Sequence, residues 1–342
     1  MRHTEKIGKM FDLEGARVLI TGGTGTFGRR MVRELLRMPN GPQCVVILSR
    51  DEWKQSRMQA ERPDDPRLRY FLGDVRDQQR LHQAFRGVDV VIHAAALKQV
   101  PAAEYNPSEA VQTNIDGALN VIDAAINTGV KRVVALSTDK ACEPVNLYGA
   151  TKAVAEKLFL AAGAYVGALG EPKFAVTRYG NVTGSRGSVL EVWREAFAAG
   201  RPITITHPAC TRFWMTPGEA VQLVLWTIER MEGGELVVPD LPAYRVQELA
   251  GALYMQAGKT GHPEWKVVGL RQGEKMHESM ISRHEAAQFS PYSTRDEGGT
   301  YWVKDPNNPP GQTRLQPLES DTAKRLTMAQ LELMIDRERL EE

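Results

Sequence analysis

In the first half of the chain, short apolar runs alternate with longer stretches whose apolar positions recur at helical spacing. The runs cover residues 16–20, 44–48, 69–72, 88–93, 132–136 and 174–177. They are rich in Val, Ile and Leu without alternation, as strands covered on both faces should be. Between them lie segments such as 110–127, where Val111, Ile115, Leu119, Val121 and Ile122 keep one apolar face and predict a helix. This repetition predicts an α/β fold: a doubly wound parallel sheet of the Rossmann type with a smaller C-terminal substrate-binding domain.

After about residue 182 the pattern changes. Helical stretches at 189–199, 217–230 and 245–255 are separated by segments rich in Gly, Pro and aromatic residues. The late apolar run 235–238 predicts one more strand returned to the sheet. Residues 290–311, polar and rich in Gly and Pro, predict a long loop or tail, and 327–340 a short amphipathic helix. The expected division is a nucleotide-binding domain at 12–182, with 217–240 returning to it, and a substrate-binding domain made of 183–216 and 241–330. No internal repeat is found.

Composition narrows the function by exclusion. The 342 residues are 42% hydrophobic, enough for a full core, and 43 basic against 42 acidic residues leave a net charge of +1. That balance carries no electrostatic footprint for nucleic acid or an anionic membrane. No apolar run approaches the roughly 20 residues of a membrane span, and residues 1–10 are polar and basic, so no secretory signal is expected. Cys44, Cys142 and Cys210 are too few and scattered for a disulfide framework or a zinc site, and the histidines show no ligand spacing. A reduced, cytoplasmic, metal-free enzyme is the expectation. Cys142 and Cys210 read as packed thiols, with no base in view to activate them.

Chemistry first appears at the end of the first run. Thr21-Gly22-Gly23-Thr24-Gly25-Thr26-Phe27-Gly28 places Gly22, Gly25 and Gly28 between a strand and a helix. The first glycine permits the turn, the second the approach of a pyrophosphate, and the third helix–strand packing, with the anion on exposed N–H groups. Gly22, Thr24, Gly25, Thr26, Phe27 and Gly28 are therefore candidate cofactor ligands. The second run ends in Ser49-Arg50-Asp51. An arginine at this strand tip suits a 2′-phosphate, so Arg50, helped by Ser49 and Lys54, argues for NADP; a solvated surface arginine is the rival reading. Asp74 and Val75 follow the third strand, where a carboxylate can meet an adenine amino group. Ala94 opens a small-residue stretch where the backbone can pass close to a cofactor.

Tyr148 and Lys152 form Tyr-x-x-x-Lys, one helical turn apart on one face. The lysine is expected to favour the phenolate and draw the tyrosine toward neutrality, so that Tyr148 takes a proton while the substrate gives hydride to a nicotinamide. The fifth run ends in Ser137-Thr138-Asp139-Lys140. Plain dehydrogenation needs only the hydroxyl of Thr138 here. Asp139 and Lys140 add a second acid/base set, which fits elimination better; a surface ion pair is the structural rival.

Together these segments closely resemble the UDP-N-acetylglucosamine 4,6-dehydratases of the inverting type, which open pseudaminic acid synthesis. The likeness runs through TGGTGTFG (21–28), SRDEWKQ (49–55), GDVRD (73–77), HAAALKQVPAAEYNP (93–107) and TNIDGALNVIDA (113–124). It continues through ALSTDKACEPVNLYGATK (135–152), RYGNVTGSRGSV (178–189), TRFWMT (211–216) and GLRQGEKMHESMIS (269–282). The 135–152 block and TRFW are the narrow signals.

The resemblance implies a redox-neutral cycle in a homo-oligomer built on a dimer. Tyr148 would deprotonate the C4 hydroxyl, Lys140 would remove the C5 proton and Asp139 would protonate the departing C6 hydroxyl, with inversion at C5. Lys98, Asn181, Arg212, Arg271 and Glu274 would bind the nucleotide sugar, Arg271 at the diphosphate and Glu274 at the uridine ribose. Gln99 stands where the family carries His, 207–210 is less polar than expected, and the tail from 290 matches loosely, which leaves nucleotide and sugar open. The rivals are a sugar-nucleotide 4-epimerase, a 4-keto reductase, a dehydratase of another nucleotide sugar and, in another class, a non-catalytic NADP-binding sensor. The sensor would lack the Tyr148 and Lys152 chemistry.

Overall fold

The apolar runs condense into one nine-stranded sheet in the computed structural model, which describes residues 10–62, 65–167, 170–184, 189–293, 299–306 and 316–341. Its strands are β1 (Arg17–Thr21), β2 (Cys44–Ser49), β3 (Leu68–Leu72), β4 (Val90–His93), β5 (Arg132–Leu136), β6 (Lys173–Thr177), β7 (Glu235–Pro239), β8 (Ser290–Ser293) and β9 (Thr300–Lys304). The spatial order is β8-β9-β7-β6-β5-β4-β1-β2-β3. From β3 to β7 every neighbouring pair is parallel. The central strands are buried along their whole length, which is why they read as unbroken apolar runs. The 235–238 run returns as expected, pairing in parallel with β6.

One expectation fails. Within 290–311, the described residues include two antiparallel strands that extend the sheet beyond β7, not a loop. Tyr292 and Tyr301 pack edge-on against Trp226, with ring centroids 6.1 and 5.0 Å away. Aromatic and β-branched side chains on a pleated surface outweigh the Gly- and Pro-rich composition. Residues 294–298 and 307–311 of that stretch lie outside the described residues.

The helix read at 110–127 forms, with a π-helical turn within it. Pro107–Val111 and Gly117–Thr128 are joined by a π-helical turn, Gln112–Asp116. That turn buries Asn114, whose side chain accepts from Leu97 N at 2.8 Å and donates to Leu97 O and Thr151 Oγ1, each at 3.0 Å. One inserted residue thus ties the loop after β4 to the helix that carries Tyr148.

A second, smaller core packs Trp193, Trp214, Tyr244, Leu249 and Leu253 with Leu331 and Ile335 of the C-terminal helix, Met328–Glu341. It sits beyond the carboxyl ends of the parallel strands. The strand order reverses between β1 and β4, the place where a doubly wound sheet opens a crevice.

The glycine turn after β1 is fixed by contact. Gly22 has φ +66°, and a Cβ there would lie 2.9 Å from Ala95 N. A Cβ on Gly28 would meet the Gly23 backbone at 2.5 Å. Gly28→Ala is therefore expected to cost roughly 1–3 kcal/mol by overpacking, seen as a lower urea midpoint at unchanged m-value. An unchanged midpoint would show that the turn yields and that this contact does not set the helix position.

Candidate active site

The crevice holds a cleft of about 900 Å³. Its walls bring together most of the residues singled out from sequence: Gly22, Thr24, Gly25, Thr26, Phe27 and Gly28 of the glycine turn; Ser49, Arg50 and Lys54 after β2; Asp74 and Val75 after β3; Ala94 and Lys98 after β4. Thr138, Asp139, Lys140, Tyr148, Lys152 and Asn181 line the same cleft. Arg212, Arg271 and Glu274 do not line it.

At the nucleotide end, the exposed N–H groups of the Thr26–Arg37 helix follow Gly25, which caps that helix without a side chain. A residue bearing Cβ at Gly22 would collide with Ala95, so the turn forms a cradle that only a backbone can shape, as a dinucleotide pyrophosphate requires. Thr24 Oγ1 and Ser49 Oγ are 2.9 Å apart and link the turn to the tip of β2. Arg50 is exposed and lies 3.7 Å from Asp74, which Arg76 holds at 2.8 Å. Burial raises the Asp74 pKa, but the hydrogen bond from Arg76 outweighs it and leaves the carboxyl below its usual range. Sequence reasoning missed Arg29, Arg30 and Arg33, which add positive charge to this end from the first turns of the helix. Their signal was the basic run directly after Gly28.

The chemical end is built on one close approach. Asn146 caps the Leu147–Ala161 helix by accepting from Gly149 N at 2.8 Å. Gly149 then passes so near the Asp139–Ala141 turn that a Cβ would lie 2.1 Å from Lys140 O. Tyr148 and the Asp139–Lys140 pair are thereby held on one wall. Thr138 Oγ1 donates to Asp139 Oδ1 at 2.9 Å, and Lys140 Nζ donates to the same oxygen at 3.0 Å. Asp139 is wholly buried.

The charges differ from the simple expectation. Burial pushes the Tyr148 phenol up to about 12; Lys140 and a hydrogen bond with Thr138 oppose this without reversing it. The expectation that Lys152 draws the phenol toward neutrality is thus not met: Lys140 is the cation acting on Tyr148. Burial instead lowers Lys152 to about 8, against the pull of Glu156 one turn further along the helix. Glu156 is itself tied to Arg178 at 2.6 Å. Burial also lowers Lys140, but Asp139 and Glu278 outweigh it and hold the ammonium above the ordinary lysine range.

Arg212 is buried on the Thr211–Phe213 strand and pairs with Glu274 at 2.7 Å. Glu274 also accepts from Thr206 Oγ1 at 3.1 Å. Arg271 is exposed, and its backbone N–H donates to Glu274 at 3.2 Å. All three cysteines are buried and free. Burial raises the Cys142 thiol to about 12, which suits packing and not nucleophilic attack. Among the described residues no cluster of His, Cys, Asp or Glu has the makings of a metal site.

Sheet order, glycine turn and the Tyr148–Lys152 helix define an enzyme scaffold of the extended short-chain dehydrogenase/reductase class. Within that class, residues 18–295 match the family described as polysaccharide biosynthesis protein, and the chain belongs to it. It is 50% identical over 270 residues to the UDP-N-acetylglucosamine 4,6-dehydratase (inverting) of Campylobacter jejuni, covering 79% of this chain and 78% of the relative. Over 288 residues it is 42% identical to a UDP-glucose 4-epimerase of Rickettsia akari, covering 84% and 82%. Among solved structures, Pen from Bacillus thuringiensis is 33% identical at a TM-score of 0.87, covering 96% of this chain and all of the other. A dTDP-glucose 4,6-dehydratase double mutant from Streptomyces venezuelae, solved with NAD bound, is 25% identical at a TM-score of 0.68, covering 76% and 86%.

Lys152 offers a test that separates stability from chemistry. At pH 7 its amine is charged both folded and unfolded, so the cost of burying that charge is fully present. Stability is then expected to rise as pH climbs from about 8 toward the ordinary lysine value, because only the unfolded chain still binds the proton there. Lys152→Met should raise the melting temperature at pH 7 by a few degrees while turnover falls roughly 100-fold or more. A lower melting temperature would show that the charge is stabilising.

Proposed function

We propose that the protein dehydrates a UDP-linked N-acetylhexosamine, UDP-N-acetylglucosamine, across C4–C6 with inversion at C5, giving a UDP-2-acetamido-2,6-dideoxy-4-keto-hexose. The observation that carries this reading is the Asp139–Lys140 contact at 3.0 Å on the same cleft wall as Tyr148. A nicotinamide cofactor fits the glycine cradle, and the bound ring supplies hydride acceptance from C4 and hydride return to C6.

The chain's own residues move the protons. Thr138 orients the C4 hydroxyl, and the minor phenolate form of Tyr148, favoured by the positive charge of Lys140 and formed by loss of the phenol proton to solvent, takes the C4 proton. The C4 ketone acidifies the C5 proton. Shift of one proton along the Lys140–Asp139 hydrogen bond yields a neutral amine and a protonated acid, the two forms that elimination needs. Lys140 then takes the C5 proton, Asp139 gives its proton to the C6 hydroxyl, and water leaves. Reprotonation at C5 from the opposite face, with a proton drawn from water while Tyr148 returns the C4 proton to solvent, inverts the centre. Lys98 and Asn181 line the cleft and are assigned to the nucleotide sugar. Arg271 is the proposed diphosphate ligand, carried on a segment that the Arg212–Glu274 pair anchors.

NADP is preferred on this reading, because Arg50, Arg29 and Arg33 line the cleft together with the glycine turn. Arg50→Ala is expected to raise the KM for NADP about tenfold, one lost charge-assisted contact, with NAD little changed. Equal effects on both cofactors would remove the argument. Exposed apolar side chains at Leu119 and Val154, on the Gly117–Thr128 and Leu147–Ala161 helices, support a dimer through those helices. A cytoplasmic location and a role at the start of pseudaminic acid synthesis complete the proposal. No described helix is long and apolar enough to cross a membrane.

The second reading is 4-epimerisation, favoured by the relatives of that name. It needs Thr138, Tyr148 and Lys152 but leaves Asp139 and Lys140 without work. UDP-N-acetylglucosamine incubated with the enzyme in deuterated water, followed by proton NMR, separates the two. Dehydration predicts loss of the C6 hydroxymethyl signals, a new methyl signal and deuterium at C5. The C4 epimer with C6 untouched would replace the dehydratase reading.

A further inference from the structure

The segment from Gly269 to Glu278 docks on the catalytic turn at three points. Asn146 Nδ2 donates to Gly273 O at 2.7 Å, and Lys275 Nζ donates to Cys142 O at 2.7 Å. Gly273 has φ +74°, and a Cβ there would lie 2.8 Å from Asn146 Cβ, so the docking is tight. The third point is the Glu278 carboxylate, whose Oε1 lies 3.3 Å from Lys140 Nζ and 3.9 Å from Arg212 Nε. The Glu278 side chain is 3% exposed, and its backbone is pinned by Ser320 in both directions, at 2.8 Å each.

Lys140 therefore sits between two buried carboxylates from opposite halves of the chain: Asp139 from the end of β5, and Glu278 beside the Ser279–Ile281 strand. Asp139 Oδ2 and Glu278 Oε2 are both buried without a hydrogen-bond partner among the described residues. We propose that Glu278 is a positioning residue for Lys140, holding its ammonium at the cleft wall from the substrate-domain side. Through Lys140 it sets when that amine can release a proton.

The inference rests on the acid/base role given to Lys140 above. Glu278 does not line the cleft, so it acts through Lys140 and not on substrate. The other groups facing Lys140 are Asp139 on its own turn, Arg212 from the Thr211–Phe213 strand, Tyr148 from the following helix and Tyr244 from the Ala243–Arg245 strand. Arg212 opposes the ammonium, and the two tyrosines are neutral at ordinary pH. Glu278 is thus the group beside Asp139 that favours the charged amine. Removing its charge must lower the Lys140 pKa.

The test uses the full chain with Glu278→Gln and Glu278→Asp. Glu278→Gln is expected to lower kcat for dehydration roughly tenfold through misplacement of Lys140, with KM changed less than about twofold because substrate contacts are untouched. The limb of the pH–kcat profile that reports Lys140 should move to lower pH, and Glu278→Asp should recover part of both effects. A readout free of turnover runs beside it: the rate at which an amine reagent modifies Lys140, followed by peptide mass spectrometry at fixed pH. That rate should rise several-fold in Glu278→Gln. An unchanged rate and unchanged pH profile would overturn the proposal. If wild type fails to dehydrate but Lys140 modification still responds to Glu278→Gln, the positioning stands and the dehydratase reading falls. If Glu278→Gln does not fold, the modification rate and pH profile of Glu278→Asp decide, and wild-type values there would overturn the proposal.

Discussion

The approach of Gly149 to Lys140 O is the contact on which the site depends. A side chain at 149 would drive the Leu147–Ala161 helix away from the Asp139–Ala141 turn, and with it Tyr148 and Lys152 away from Asp139 and Lys140. Two groups of chemically active residues, one on a strand end and one on a helix, share a wall because a single position carries no Cβ. The π-helical turn at Gln112–Asp116 acts on the same helix from its other side, through the Asn114–Thr151 hydrogen bond. Precision at the chemical end thus comes from backbone contact, which is stiffer than any side-chain pairing.

Onto that frame the structure adds a chain of buried charge. Asp139, Lys140, Glu278, Arg212 and Glu274 follow one another at 3.0, 3.3, 3.9 and 2.7 Å. Three carboxylates face two cations, so the chain holds an excess of negative charge when all are ionised. Buried ions are costly unless paired, and such an excess favours keeping every available proton on the cations. That is why Lys140 rests as an ammonium despite its desolvation. The hydrogen bond from Lys140 to Asp139 at 3.0 Å is the contact along which the proposed mechanism moves the ammonium proton.

Much of this was legible in the chain and some was not. The strand at 132–136 and the helix at 217–230 coincide with their apolar patterns to the residue, because burial on a parallel sheet leaves a strong local signature. The glycine turn, the Asp139–Lys140 pair and Tyr148 with Lys152 were legible as motifs, since each works through residues close in sequence. Ser290–Ser293 and Thr300–Lys304 were not, because they are held by pairing with each other, by the pairing of Thr300–Lys304 with β7 and by Trp226, contacts that composition cannot report. Glu278 was invisible for the same reason. Its meaning is a distance to Lys140 across the fold, and nothing in GEKMHE states that distance. The Arg212–Glu274 pair that anchors the GLRQGEK segment was not legible either, because it joins two stretches distant in sequence.

The two lysines of the site are set to opposite tasks by their neighbours alone. Lys140 has two carboxylates within 3.3 Å and stays charged. Lys152 is more deeply buried, and its carboxylate neighbour Glu156 is already engaged by Arg178, so little compensates its desolvation and its amine falls to about 8. The same side chain is thus a firmly held ammonium at one position and a weakly held one at the other. Arg178 is bound by Glu156 and Glu285 together, which fixes how much of the Glu156 field is left for Lys152. Of the two amines, Lys140 is the one that acts on the Tyr148 phenol, which burial holds at about 12. The positive charge of Lys140 opposes that burial without reversing it, so the phenolate is the minor form at rest.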